Sequence, residues 1–344
     1  MTLLYPTTPA AELREAGKAA RKALPRAAQA AYAPRERDLV ALVEAQHATR
    51  VERLLALRVA RMAQSPFTLF RGTAAQMAHD LRGSPCTGQQ LVACGDAHIS
   101  NFGVFATPER RLTFELNDFD EASTAPWEWD VKRLATSVVL AAREQGASDA
   151  AAAQDARDAV AGYQQAMDRL TSMPALERAH YRINALALEA ELGDEDAAFL
   201  ERTRRRAKRR TSANLLPRIT METEEGHLRI VDDPPILTHL PIYSADLARE
   251  LLIDYARTTR TDSAFLLRQF EVVDIAFRVV GVGSVGTRCM IVLLTGPSGE
   301  PLFLQIKEAA PSVLETFGGE PNLLSSLDLP HANHEGYRVV TGQR

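Results

Sequence analysis

The stretch Gly95-Asp96-Ala97-His98-Ile99-Ser100-Asn101 places a carboxylate, an imidazole and an amide in one short loop. Asn117-Asp118-Phe119-Asp120-Glu121 follows one hairpin later and packs three carboxylates together, an arrangement that repels itself unless a cation neutralises it. A hard ion such as Mg²⁺ suits Asp and Asn oxygens. Phosphoryl-transfer enzymes of the kinase type need such a set: an Asp beside the attacking hydroxyl, and an Asn and a second Asp on the metal. The ordered set thus points to Asp96 as the catalytic group, with His98 beside it, and to Asn101, Asp118 and Asp120 as metal ligands. An Asx-rich turn that only caps backbone groups is the structural alternative.

A third group lies far downstream. Gly281, Gly283, Ser284 and Gly286 form a G-x-G-x-x-G pattern, which in a dinucleotide fold must open a helix. Here it runs into Arg288-Cys289-Met290-Ile291-Val292-Leu293-Leu294, rich in strand formers. That context fits a glycine turn over nucleotide phosphates, or a plain glycine hairpin. Two strands on, Lys307 would return beneath the glycines, where it could hold phosphate oxygens. Glu315, on a short helix from Pro311 to Thr316, is the expected partner of Lys307. Arg71 is expected in a salt bridge at a helix start, with a phosphate contact as the alternative.

Helical spacing of Val51, Leu54, Leu55, Val59 and Met62 predicts one helix from Arg35 to Gln64, ended by Ser65-Pro66. Another runs from Thr73 to Leu81. Leu91 to Cys94 reads as a buried strand, and Phe102–Phe105 with Leu112–Leu116 as a hairpin around Thr107-Pro108-Glu109-Arg110. Helices are expected from Asp130 through about Leu170, from Asp196 to Arg210 and from Ser244 to Thr259. Strands are expected over Phe277–Gly281, Thr287–Leu294, Pro301–Lys307 and Gly336–Val340. These elements predict an α+β fold: a mainly helical lobe, 1–260, carrying the catalytic hairpin, then a small β-rich lobe, 261–344. Because the last strand lies so close to Arg344, the small lobe is expected to be truncated.

The segments SPFTLFRG, CGDAHISNFG, LNDFDEASTAPWEWDVKRLATS, VVGVGSVGTR, FLQIKEAAPSV and GYRVVTGQR resemble, in order, the bacterial domain of unknown function 2252 family. Their motifs are in turn similar to the protein-kinase-like and aminoglycoside-phosphotransferase-like group. That similarity implies Asp96 as catalytic base, Asn101 and Asp118 on Mg²⁺, Lys307 on the α/β-phosphates of ATP, and Asp130 as orienter of the catalytic loop. The glycine loop and lysine follow the catalytic loop, the reverse of ordinary kinases, which implies a permuted kinase-like fold. Arg288 stands where an apolar residue usually covers the adenine, and Asp120 where protein kinases place Gly.

The expected function is ATP- and Mg²⁺-dependent phosphotransfer to a hydroxyl on an unknown small-molecule or protein acceptor. A catalytically silent pseudokinase-type binding module and a metal-dependent phosphoesterase are the alternatives. Among 344 residues, 46% are hydrophobic and 24% charged, values of a globular chain and not of a disordered or fibrous one. A net charge of −4 argues against a nucleic-acid coat protein, and the arginine-rich run Arg202 to Arg210 reads as a solvated helix face behind an acidic segment. Three scattered cysteines make no disulfide framework. With no signal-like start and no long apolar run, a cytoplasmic chain without membrane or nucleic-acid partners is expected. The oligomeric state is left open.

Overall fold

The computed structural model describes residues 8–31, 37–107, 109–185, 188, 193–322 and 333–343. Helices and short antiparallel sheets are mixed along the chain, an α+β arrangement. Among the described residues, no helix is long and apolar enough to cross a membrane.

The helix expected over Arg35–Gln64 is broken into α1 (Leu39–His47) and α2 (Leu55–Met62), with a 3₁₀ turn at Glu52–Leu54; Arg35 and Glu36 lie outside the described residues. The break has a tertiary cause, because the Val51 N–H leaves the helical ladder and donates to the Gly286 carbonyl at 2.8 Å. Ser65-Pro66 does not close that helix but opens α3 (Pro66–Arg71), where Ser65 and Thr68 form a reciprocal capping box with Pro at the first helical position. Next comes α4 (Ala74–Leu81), matching the expected helix.

The middle of the chain is two nested ribbons. Strand β1 (Gln90–Ala93) pairs antiparallel with β4 (Ser123–Pro126), and between them β2 (Phe102–Ala106) pairs with β3 (Leu112–Leu116). The expected hairpin is therefore present; Pro108, in its turn, lies outside the described residues. Chain order loop–hairpin–loop inside an outer ribbon forces the segments 94–101 and 117–122 to face one another. Helix α5 (Trp127–Glu144) leaves β4 directly, and α6 (Asp149–Ser172) packs back along it.

Downstream, β7 (Leu237–Thr238), β8 (Glu271–Arg278), β9 (Cys289–Thr295) and β10 (Pro301–Lys307) form an antiparallel sheet in the order β10-β9-β8-β7. The ribbon between β4 and this sheet, β5 (Thr220–Glu222) with β6 (Leu228–Ile230), is separate. β9 is buried at all but its last residue, because apolar clusters cover both faces of the sheet. Its edge strand β7 lies ahead of residue 261, so sheet strands stand on both sides of the expected 260/261 division. After β10 the chain returns: α7 (Val313–Thr316) joins the core of Ala74, Ala75, Ala93, Ala125 and Trp129.

The strand expected over Gly336–Val340 is a helix, α8 (Glu335–Gln343). Arg338 lies fully buried there, paired with Glu335 one helical turn back at 2.7 Å. The last strand on which the expected truncation rested is thus not formed by these residues.

Candidate functional site

Both ends of the β2–β3 hairpin are chemistry-bearing. The Asn117 N–H donates to the Asn101 carbonyl at 2.8 Å, closing the hairpin base. The Asn101 amide then donates to the carbonyls of Asp96 and Asp118, at 3.1 Å each. Both nitrogen hydrogens are committed to backbone, so the oxygen Oδ1 is the atom left for a ligand.

One face of α5 holds the 94–101 loop. Asp130 accepts from the N–H groups of Cys94 (2.7 Å) and Gly95 (2.9 Å). One turn on, Arg133 donates to the Asp96 carboxylate through Nε at 2.6 Å and to the Phe70 carbonyl through Nη2 at 2.9 Å. A further turn on, the Ser137 hydroxyl accepts from the Ile99 N–H at 2.9 Å. Spacing of three and four residues puts all three on one helix face. The orienting role implied for Asp130 is therefore seen in its bonds. Gly95 has φ +76°, and a Cβ there would lie 2.4 Å from the Glu121 carbonyl oxygen, so this crossing of the two loops requires glycine.

The acidic loop is held from the C-terminal side. Arg338 donates to the carbonyls of Asp120 (2.9 Å), Ala310 (2.6 Å) and Ala122. Glu121 accepts from the Val313 N–H at 2.8 Å, and the Ser312 hydroxyl donates to the Glu121 carbonyl at 2.7 Å.

Lys307, at the end of β10, reaches across to this loop: its Nζ lies 2.5 Å from Asp120 and 3.7 Å from Asp118. Glu315 is not its partner, contrary to expectation. The Glu315 carboxylate instead accepts from the Ser123 hydroxyl at 2.6 Å, because α7 packs on β4 and not on the sheet.

The glycine loop connects β8 to β9 and is fastened to the N-terminal helices. Arg50 donates to the Val285 carbonyl (2.7 Å) and Arg61 to the Gly281 carbonyl (2.6 Å). A Cβ on Gly283 would meet the Arg71 carbonyl oxygen at 2.9 Å. The Ser284 hydroxyl braces the loop internally by donating to the Val280 carbonyl at 3.0 Å.

These segments enclose one cleft of about 260 Å³. Asp96, His98, Asn101, Asp118 and Asp120 line one side, and Gly281, Gly283 and Ser284 the other. Lys307 lines an adjoining hollow that shares Asn101, Asp118, Asp120, Gly281 and Ser284. Gly286 lies behind, against the Arg50 side chain.

Electrostatics in the cleft are set by burial. Burial pushes the Asp96 carboxyl up to about 6 despite Arg133, and the Glu121 carboxyl up to about 7. Burial and the charges of Arg133 and Arg71 pull His98 down to about 4, so its ring is neutral at pH 7. Burial and the Asp118 charge raise Asp120, with Lys307 opposing. Lys307 is drawn down by burial, but Asp118 and Asp120 outweigh this and raise it.

Arg133 and Arg338 were not among the expected site residues. A signal existed for Arg133, which stands one turn after Asp130 on the same helix face. Arg338 carries none when its segment reads as a strand. Arg71 departs from expectation in the other direction: among the described residues it makes no salt bridge.

A family model described as "Uncharacterized protein conserved in bacteria (DUF2252)" matches residues 50–344. The chain belongs to the DUF2252 family. The match takes in both loops, the glycine turn, Lys307 and Arg338 and starts at Arg50; of the cleft lining, Gln46 and Thr49 stand just ahead of it. No curated protein and no solved structure matches the chain.

Proposed function

We propose that this cleft binds Mg-ATP and transfers its γ-phosphoryl group to a hydroxyl acceptor, in a permuted kinase-like arrangement. The observation that carries the reading is Lys307, which meets Asp118 and Asp120 beside the glycine loop, while Asp96 opens into the adjoining cleft that shares those two carboxylates.

The donor set suits the ion. Asn101 has its amide nitrogen committed and an oxygen left over, and Asp118 is a half-exposed carboxylate beside it. Mg²⁺ is commonly held by one or two carboxylates plus substrate phosphates, not by an all-protein cage. Bound there, the ion would neutralise phosphate charge.

Each side chain then has a task. Lys307 exchanges its carboxylate contacts for phosphate oxygens, and the glycine turn lets backbone approach the phosphate chain. Asp96, held in orientation by Arg133, accepts the acceptor's proton; a carboxyl near 6 is ionised at pH 7 yet more basic than an ordinary aspartate. The acceptor oxygen bonds to the γ-phosphorus, the bond from γ-phosphorus to the β,γ-bridging oxygen breaks, and ADP leaves with that oxygen. The neutral His98 ring, edge-on to Phe67 at 6.5 Å, walls the acceptor side.

Thermal shift with Mg-ATP tests the reading. Stabilisation of the native chain is expected, with loss of most of it in Asp118→Asn. Asp96→Asn should keep the shift and lose transfer. Stabilisation by Mn²⁺ alone would favour a phosphoesterase, and a shift without any transfer would favour a binding module.

A further inference from the structure

Arg50 and Arg71 line the cleft, Arg58 and Arg133 stand behind it, and the four differ in what their guanidinium groups do. Arg133 is engaged by Asp96 and the Phe70 carbonyl. Arg58, fully buried, donates to the Gly72 carbonyl, to Gln46 and to His47. Arg50 gives one bond to the Val285 carbonyl. Arg71, the last residue of α3, gives none among the described residues, and its Nε is buried.

Its position is specific. Arg71 lines the cleft between Asp96 and His98 on one side and Gly283 and Ser284 on the other. It is close enough to pull both titrating groups down, though it contacts neither. The backbone beneath it is fixed, because the Arg71 carbonyl lies against Gly283. A guanidinium carries five donors in a planar fork that matches phosphate oxygens in pairs. Partial burial of such a cation with no partner is unfavourable, so an anionic ligand would relieve it.

Arg50 and Arg288, also in the lining, are held by the Val285 carbonyl and by Glu308, which leaves two cations to divide the site. Lys307 serves the end nearest Asp118 and Asp120. Arg71 serves the end nearest Asp96, where the attacking hydroxyl would be oriented. The phosphate that must meet that hydroxyl is the terminal one. We propose that Arg71 is the seat of the nucleotide's terminal phosphate and makes the cleft select triphosphate over diphosphate. This rests on the nucleotide reading above and adds to it the group that the cleft distinguishes.

Calorimetric titration of the full chain with Mg²⁺ and β,γ-imido-ATP, and separately with Mg-ADP, tests it. The native chain should bind the triphosphate analogue at least about tenfold tighter, since charge-assisted bidentate bonds are among the stronger ones. Arg71→Gln should abolish that preference while leaving ADP affinity unchanged; Arg71→Lys, which keeps the charge but not the fork, should keep part of it and guards against a Gln variant that fails to fold. A preference that survives in the folded Arg71→Gln or Arg71→Lys chain undiminished overturns the seat alone. An equal weakening of both nucleotides likewise overturns it, since the contact would not be to the terminal phosphate. Absence of binding of either nucleotide to the native chain overturns the nucleotide reading, and this inference with it.

Discussion

Asp96, Asn101, Asp118 and Lys307 were legible in the sequence because each is a polar residue in a short loop or at a strand end, where few structural roles compete. Arg338 was not, because its segment reads as a strand, and Arg133 was marked only by standing one turn after Asp130 on the same helix face. Their meaning lies in carbonyl groups that only the tertiary fold delivers. Glu315 failed for a related reason: its nearness to Lys307 in the chain is undone when α7 turns back onto β4. A prediction belongs at this scale. His98 is pulled from about 6.5 unfolded to about 4 folded, so the native state resists protonating it. The unfolded chain then binds the extra proton, and this contribution to stability is full above pH 6.5 and is lost as pH falls to about 4, on the order of 1–3 kcal/mol. Tm measured between pH 7 and pH 4.5 should fall less steeply in His98→Gln than in the native chain. Equal slopes would show that the ring titrates freely.

The long face of α5 shows how an element can act as a template. Asp130, Arg133 and Ser137 each hold a different part of the 94–101 loop, so helix geometry is copied onto loop geometry. Asp130→Asn replaces one acceptor oxygen with an N–H donor facing a backbone N–H. With the group buried, a loss of about 1–3 kcal/mol is expected, read by urea unfolding. Unchanged stability would mean that the loop holds its shape without the carboxylate. Most elements of this size were readable from period and punctuation: the hairpin, the strand Pro301–Lys307, and the helices at 74–81 and 245–258. The C-terminal helix was not. Tyr337-Arg338-Val339-Val340 alternates like a strand over so short a span that local pattern cannot decide, and the burial of Arg338 against three carbonyls decides instead.

At the scale of the molecule, the acidic loop is clasped by two chain segments that follow the sheet. Residues 310–313 and α8 grip it through Ser312, Glu121 and Arg338, while Lys307 reaches it from the sheet edge. The final segment, expected in the small lobe of 261–344, is therefore bonded to the acidic loop of the first. Hydrogen exchange read by mass spectrometry should find 335–343 protected in the native chain. Arg338→Met should speed exchange in both 118–122 and 335–343, leaving β9 unchanged. Faster exchange in α8 alone would show that the clasp does not reach the loop.

The glycine loop has three fastenings to the N-terminal helices, through Arg50, Val51 and Arg61. A flap would close over its ligand as a separate kinetic step. A riveted loop offers no such step: on the nucleotide reading proposed above, phosphate would meet a surface that has already surrendered its conformational freedom during folding. Ordering entropy then weighs on stability and not on affinity. Capture of such a ligand would need no loop-ordering step, leaving residence time as the quantity for side chains in the cleft to set.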